Sequence, residues 1–71
     1  GITFANIRKD SEVRVFTTDG VLLRTLEEKN NDGELPWDAK DDKGRELPSG
    51  IYLYQVISAE HARLYKLAII R

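Results

Sequence analysis

The sequence predicts an all-β protein, an antiparallel sandwich of six or seven short strands. Three observations predict it. Short runs of β-branched and aromatic residues alternate with turn-forming residues at close spacing. The longest apolar run, Ile51-Tyr52-Leu53-Tyr54-Gln55-Val56-Ile57, has strand length and strand composition. No segment carries the apolar stripe of an amphipathic helix.

Taken in order, Ile2-Thr3-Phe4 is a short β-prone run. Residues Glu12 to Thr17 begin with the polar–apolar alternation of a half-buried strand. Asp19-Gly20 supplies a tight turn, because glycine accepts positive φ without steric cost. The apolar pattern resumes from Val21 to Leu26, so residues 12–26 read as a hairpin. The polar stretch from Glu27 to Gly33 reads as a loop.

In Glu34-Leu35-Pro36-Trp37, Pro36 cannot donate to a ladder, which predicts an edge strand or an irregular start. Asp38 to Gly44 is a second turn region with Asp42-Lys43-Gly44 at its tip, and Pro48-Ser49-Gly50 breaks the chain once more. The run Ile51 to Ile57 is apolar on both faces. That predicts a central strand with one face on the core and the other covered or at an interface. Ser58 to His61 forms the last turn and Ala62 to Ile70 the last strand. A helix over Ser58–Lys66 is the competing reading, disfavoured by strand-like runs on both sides.

Size and composition bound the function. The chain has 71 residues, enough for one domain. Its 11 basic and 12 acidic residues are scattered, so nucleic-acid binding lacks a basic footprint. No apolar run reaches the roughly 18 residues that span a bilayer, so membrane insertion is not expected. Cysteine is absent and His61 is the sole histidine, which leaves neither a disulfide framework nor a zinc-ligand pattern. Below about 70–80 residues a core supplies only a few kcal/mol, so sheet pairing and the few aromatics must carry the fold.

The conspicuous polar and aromatic residues each admit a structural and a functional reading. Trp37 could anchor a partner, but the only tryptophan of a small domain is needed in its core. Asp38, Asp41 and Asp42 suggest calcium. Lys40 and Lys43 interrupt the alternating acidic pattern, however, and turn formation accounts for the run. His61 would need a nucleophile or carboxylate partner, and Ser11, Ser49 and Ser58 all lie in or beside turns. Tyr52, Tyr54 and Tyr65 could present a sugar-binding face. Tyr52 and Tyr54 lie two apart and share a face, where they could equally pack on a neighbouring strand, or one could bond a sandwich corner. The chain is therefore read as non-enzymatic, with no catalytic, cofactor or metal site.

One longer pattern stands out. Residues 37–54, Trp37-Asp38 through Gly44, Leu47, Ser49-Gly50, Ile51-Tyr52 and Tyr54, follow the pattern W-D-x-x-D/N-x-x-G-x-x-V/L-x-S-G-V/I-Y-x-Y. Ile2-Thr3-Phe4-Ala5-Asn6-Ile7 resembles an I-T-F-x-N-L opening, and Val13 to Leu26 resembles V-x-I-Y-x-x-x-G-x-x-V-R-x-L. Lys66 to Arg71 is similar to a closing K-x-x-I/V-I-R/K. In order and spacing the whole chain resembles the immunoglobulin-like domain named after the flagellar hook-cap scaffolding protein, and the related C-terminal sorting domains of type IX secretion substrates.

The resemblance implies an immunoglobulin-like sandwich at the C-terminus of an exported bacterial protein, extracellular or on the outer cell surface. It implies a sorting or attachment module or, in another class of function, a structural spacer on a larger enzyme or surface protein. Carbohydrate binding ranks third. Residues 1–71 are read as one such module, a fragment or processed piece with any export signal upstream and Arg71 at or near the true C-terminus. The family's first strand, with its N-P-F-like segment, has no counterpart here. An edge exposed by that absence would serve neighbouring domains of the parent protein, or a secretion or assembly component.

Overall fold

The computed structural model describes residues 2–28 and 33–71, and its regular structure is entirely β. Six strands form two antiparallel sheets. The smaller pairs β1 (Ile2–Ala5) with β4 (Glu34–Trp37). The larger runs β3 (Leu22–Glu27), β2 (Glu12–Phe16), β5 (Gly50–Ile57) and β6 (Ala62–Ile69) across its width. The predicted sandwich is what the chain forms, and the Ser58–Lys66 segment is a turn followed by strand. The predicted loop is described only as far as Glu28 and again from Gly33, so its middle lies outside the described residues.

Alternation decides which side chains form the core. Val13 and Val15 are fully buried with exposed Arg14 between them. Their β5 partners Val56 and Tyr54 continue the inner face, as does Tyr52. Phe4 from β1 and Leu35 and Trp37 from β4 close over these residues, and Ile7, Ala39 and Leu47 seal the ends.

The hairpin forms where its turn residues predict. Gly20 has φ 92° and donates to the Thr17 carbonyl at 3.0 Å, while Thr17 N–H donates to Val21 at 2.9 Å. Strand β3 starts one residue later than the apolar pattern suggests. The register shifts between Val15 and Phe16, which pair with Arg24 and Leu22 and leave Leu23 as the bulged residue. The Leu23 carbonyl instead accepts from Asp42 N–H at 2.9 Å, fastening the 38–49 loop onto the sheet edge.

Strand β5 is central, as expected, and its inner face meets the core. Its outer face, expected to be covered or at an interface, carries no cover among the described residues: Ile51 is 55% exposed. Cross-strand, Leu22, Phe16 and Leu53 form an apolar row on the same outer side. The described residues form two sheets, and the smaller lies over part of the inner face of the larger, so they leave the outer side to solvent.

Candidate functional site

The Asp38–Ser49 loop is built by its own side chains. Trp37 is buried, 4% exposed, and its indole N–H donates to the Lys40 carbonyl at 3.0 Å. Asp38 accepts from Lys40 N–H at 3.1 Å, as a turn aspartate does. A small ladder follows, with Lys40 bridging Glu46 and Leu47 N–H donating to Ala39 at 3.0 Å.

Asp41 is the buried knot of this loop. One carboxylate oxygen accepts from the N–H groups of Lys43 (3.0 Å) and Arg45 (2.9 Å), and the other from Arg45 Nε at 3.0 Å. The Arg45 N–H contributes most to holding its pKa below the ordinary value. Burial opposes the shift, and the Lys43 N–H and Arg45 guanidinium add to it. Asp42 instead faces Arg24, 3.8 Å from its Nε. The three aspartates raised by the calcium reading thus point to separate donors. Among the described residues no three His, Cys, Asp or Glu side chains gather as a metal set.

The other candidates also separate. His61 is exposed in its turn, where its carbonyl, not its ring, accepts from Ser58 N–H at 2.8 Å. Ser11 is buried beside Glu28, whose N–H donates to the Ser11 carbonyl at 3.0 Å. Ser49 accepts from Arg71 N–H at 2.9 Å, whereas Ser11 and Ser58 line one hollow with His61, where the Ser58 hydroxyl bonds the His61 carbonyl (3.4 Å) rather than its ring.

The tyrosines divide by role. Tyr52 is buried and donates its hydroxyl to the Pro48 carbonyl at 2.7 Å, the corner bond the sequence allowed for. Tyr54 packs on Phe4 with ring centroids 4.9 Å apart and stacks on Tyr65 at 5.1 Å. Phe4 in turn stacks with Trp37 at 6.1 Å, so one aromatic chain crosses the sandwich from β4 to β6. Tyr65 is its outer end, 42% exposed, and no second exposed ring lies beside it to make a flat sugar platform.

The sheet edges carry the most distinctive geometry. Thr3 pairs with Pro36, which has no N–H, so the ladder bonds between β1 and β4 fall on the flanking pairs Ile2–Trp37 and Phe4–Leu35. The backbone polar groups of Thr3 and Ala5 therefore point away from β4. The far edge of β4 lacks a donor at Pro36, a feature that blunts an edge. The far edge of β1 has no such guard. A groove of about 400 Å³ runs along it, walled by Thr3, Ala5 and Asn6 and floored by Tyr54, Val56 and Tyr65. It continues past Asn6 into a hollow lined by Arg8, His61 and Arg63.

Sequence reasoning raised the sheet edges and the tyrosine corner. It missed Arg71, whose guanidinium bonds the carbonyls of Leu47 (2.5 Å) and Ala39 (3.2 Å), and it missed Arg24 under the loop. Neither shows in a local pattern, since the partners lie far along the chain.

No family model matches the chain, and no curated protein matches it. Among solved structures it is similar to PorZ, described as an essential bacterial surface component of the type-IX secretion system of Porphyromonas gingivalis. The two share 29% identity at a TM-score of 0.80, over 100% of this chain and 10% of PorZ. The chain thus spans about a tenth of the length of the protein it matches.

Proposed function

We propose that this chain is a non-catalytic sorting or cell-surface attachment module of an exported bacterial protein handled by type IX secretion. It would act outside the cell or on its outer surface. The observation that carries the reading is the similarity to PorZ over the whole of this chain. The sequence pattern from Trp37 to Tyr54 and the sandwich it forms point the same way. Its partners on this reading are neighbouring domains of the parent protein, or a secretion or assembly component met through sheet edges.

The experiment is a reporter fused ahead of the 71 residues and expressed in Porphyromonas gingivalis with an intact type IX apparatus. Appearance of the reporter at the cell surface supports the reading. Retention inside competent cells overturns it.

A structural spacer packed on a larger surface protein is the second reading. It is favoured by the exposed apolar residues Leu22, Ile51 and Leu64 on the outer face, which suit contact with a neighbouring domain. Retention of the reporter would put this reading first.

A further inference from the structure

We propose that the outer face of the larger sheet binds a second copy of this chain, stacked about a twofold axis parallel to the strands, with Lys66 of each copy beside Asp19 of the other. This goes beyond the export reading and does not rest on it.

The outer face is apolar over one half. Ladder pairing sets Leu22, Phe16, Leu53 and Lys66 in one row across all four strands. Ile51, two residues from Leu53 and paired with Ala68, extends the apolar surface toward one end. Toward the other end the face turns polar, with Arg14 opposite Gln55 and Glu12 beyond. An antiparallel sheet facing water would carry polar residues over the whole of that side.

Symmetry and charge select the occupant. A half-turn about an axis along the strands, between β2 and β5, lays β5 of a second copy over β2 and β6 over β3. Phe16 then meets Leu53 of the second copy, and the contact occurs twice. Lys66 falls over Leu22, next to the turn that carries the exposed Asp19. Arg14 falls over Gln55 and Glu12 over Ile57, so these charges meet no like charge. Arg14 also bonds Glu12 of its own copy at 2.5 Å, which neutralises the polar end. A half-turn across the strands through the same row would instead set Lys66 on Lys66. The charges therefore choose the axis along the strands, which gives the aligned packing common to stacked sheets.

Area sets the strength. From strand spacing and rise, the face offers about 500 Å² per copy and about 1,000 Å² for the pair. That is the lower limit for a specific interface. The dimer is accordingly weak and reversible.

The test is sedimentation equilibrium of the 71-residue chain from about 10 μM to about 1 mM, with amide spectra over the same range. The average mass should rise from one chain toward two, and the signals of Phe16, Leu22 and Ile51 should shift with it. Leu22→Lys sets like charges together and should weaken association about tenfold or more. Lys66→Glu and Asp19→Lys should each weaken it about threefold, and the two combined should restore it. If Asp19→Lys unfolds the hairpin by circular dichroism, Leu22→Lys and Lys66→Glu still decide. The mass of one chain at the highest concentration would overturn the proposal and leave the face to a neighbouring domain. Association undiminished by Leu22→Lys would place the contact elsewhere and overturn it too. A folded double variant no tighter than either single one would overturn the pairing of Lys66 with Asp19.

Discussion

Arg45 grips Asp41 twice, through its backbone N–H at 2.9 Å and its Nε at 3.0 Å. The pair closes the turn between Lys40 and Glu46, and Arg24 Nη1 reaches the Asp41 carbonyl from β3 at 3.1 Å. A buried carboxylate with three N–H donors is stable there only while it is ionised. The loop's structure and its response to acid therefore have one origin.

Acid should loosen this loop. The folded pKa of Asp41 lies below its unfolded value, so the folded state binds fewer protons in that range. Its contribution is complete above the ordinary carboxylate pKa and is lost as pH falls through the folded value. Asp41→Asn should be less stable at neutral pH and converge on the parent chain in acid. Urea unfolding across a pH series measures this, and parallel curves at all pH values would contradict it.

Trp37 should be the most sensitive core position. Trp37→Ala removes a buried ring that stacks on Phe4, at a cost of about 3–5 kcal/mol. A domain of this size has only about that much stability in total, so the variant should be largely unfolded by circular dichroism. Trp37→Phe keeps the apolar volume in part but leaves the Lys40 carbonyl without its indole donor, and should cost about 1–3 kcal/mol.

The two tyrosines of β5 should respond differently to loss of their hydroxyls. Tyr52→Phe breaks the bond to Pro48 and should cost about 1–3 kcal/mol. For a domain of this size that is roughly 4–8 °C of melting temperature per kcal/mol. Tyr54→Phe keeps the packing on Phe4 and Tyr65 and should change stability by about 0.5 kcal/mol or less. Equal losses in calorimetry would mean that the corner bond carries no special weight.

Arg71 should matter as a planar fork rather than as a charge. It bonds two carbonyls and lies 3.9 Å from Glu46. Arg71→Ala should cost about 1–2 kcal/mol, reduced from a buried bond by its exposure. Arg71→Lys should recover little of that loss, since a single ammonium cannot span both carbonyls. Thermal melts of the two variants test the point, and full rescue by lysine would refute it.

The parts of the fold legible in the sequence are those set by near neighbours. Asp19-Gly20 marks the hairpin turn, Pro36 marks an edge strand, and the spacing of Tyr52 and Tyr54 puts both on one face. Each follows from backbone geometry within a few residues. The bulge at Leu23 was hidden because its compensating bond comes from Asp42, far along the chain. The division into two and four strands was hidden too, because Ile2–Ala5 and Glu34–Trp37 pair across most of the first half. Tyr65 drew notice only as part of a sugar-binding face and Arg63 none at all, and only the reach of the smaller sheet shows that they border a groove.

The register between β2 and β5 also has a consequence for the order of folding. The β2–β3 and β5–β6 hairpins close over short turns, at Phe16–Leu22 and Ile57–Ala62, and hairpins of that kind assemble in about 1–10 μs. Joining them requires Phe16 to find Leu53 across the intervening chain, which includes β4 and the Asp41 loop. Such closure costs entropy before burial of Val13 and Val15 repays it. On topology, closing the seam between the two hairpins and pairing β1 with β4 should come after the hairpins form. Until it closes, each hairpin displays an apolar face with nothing against it.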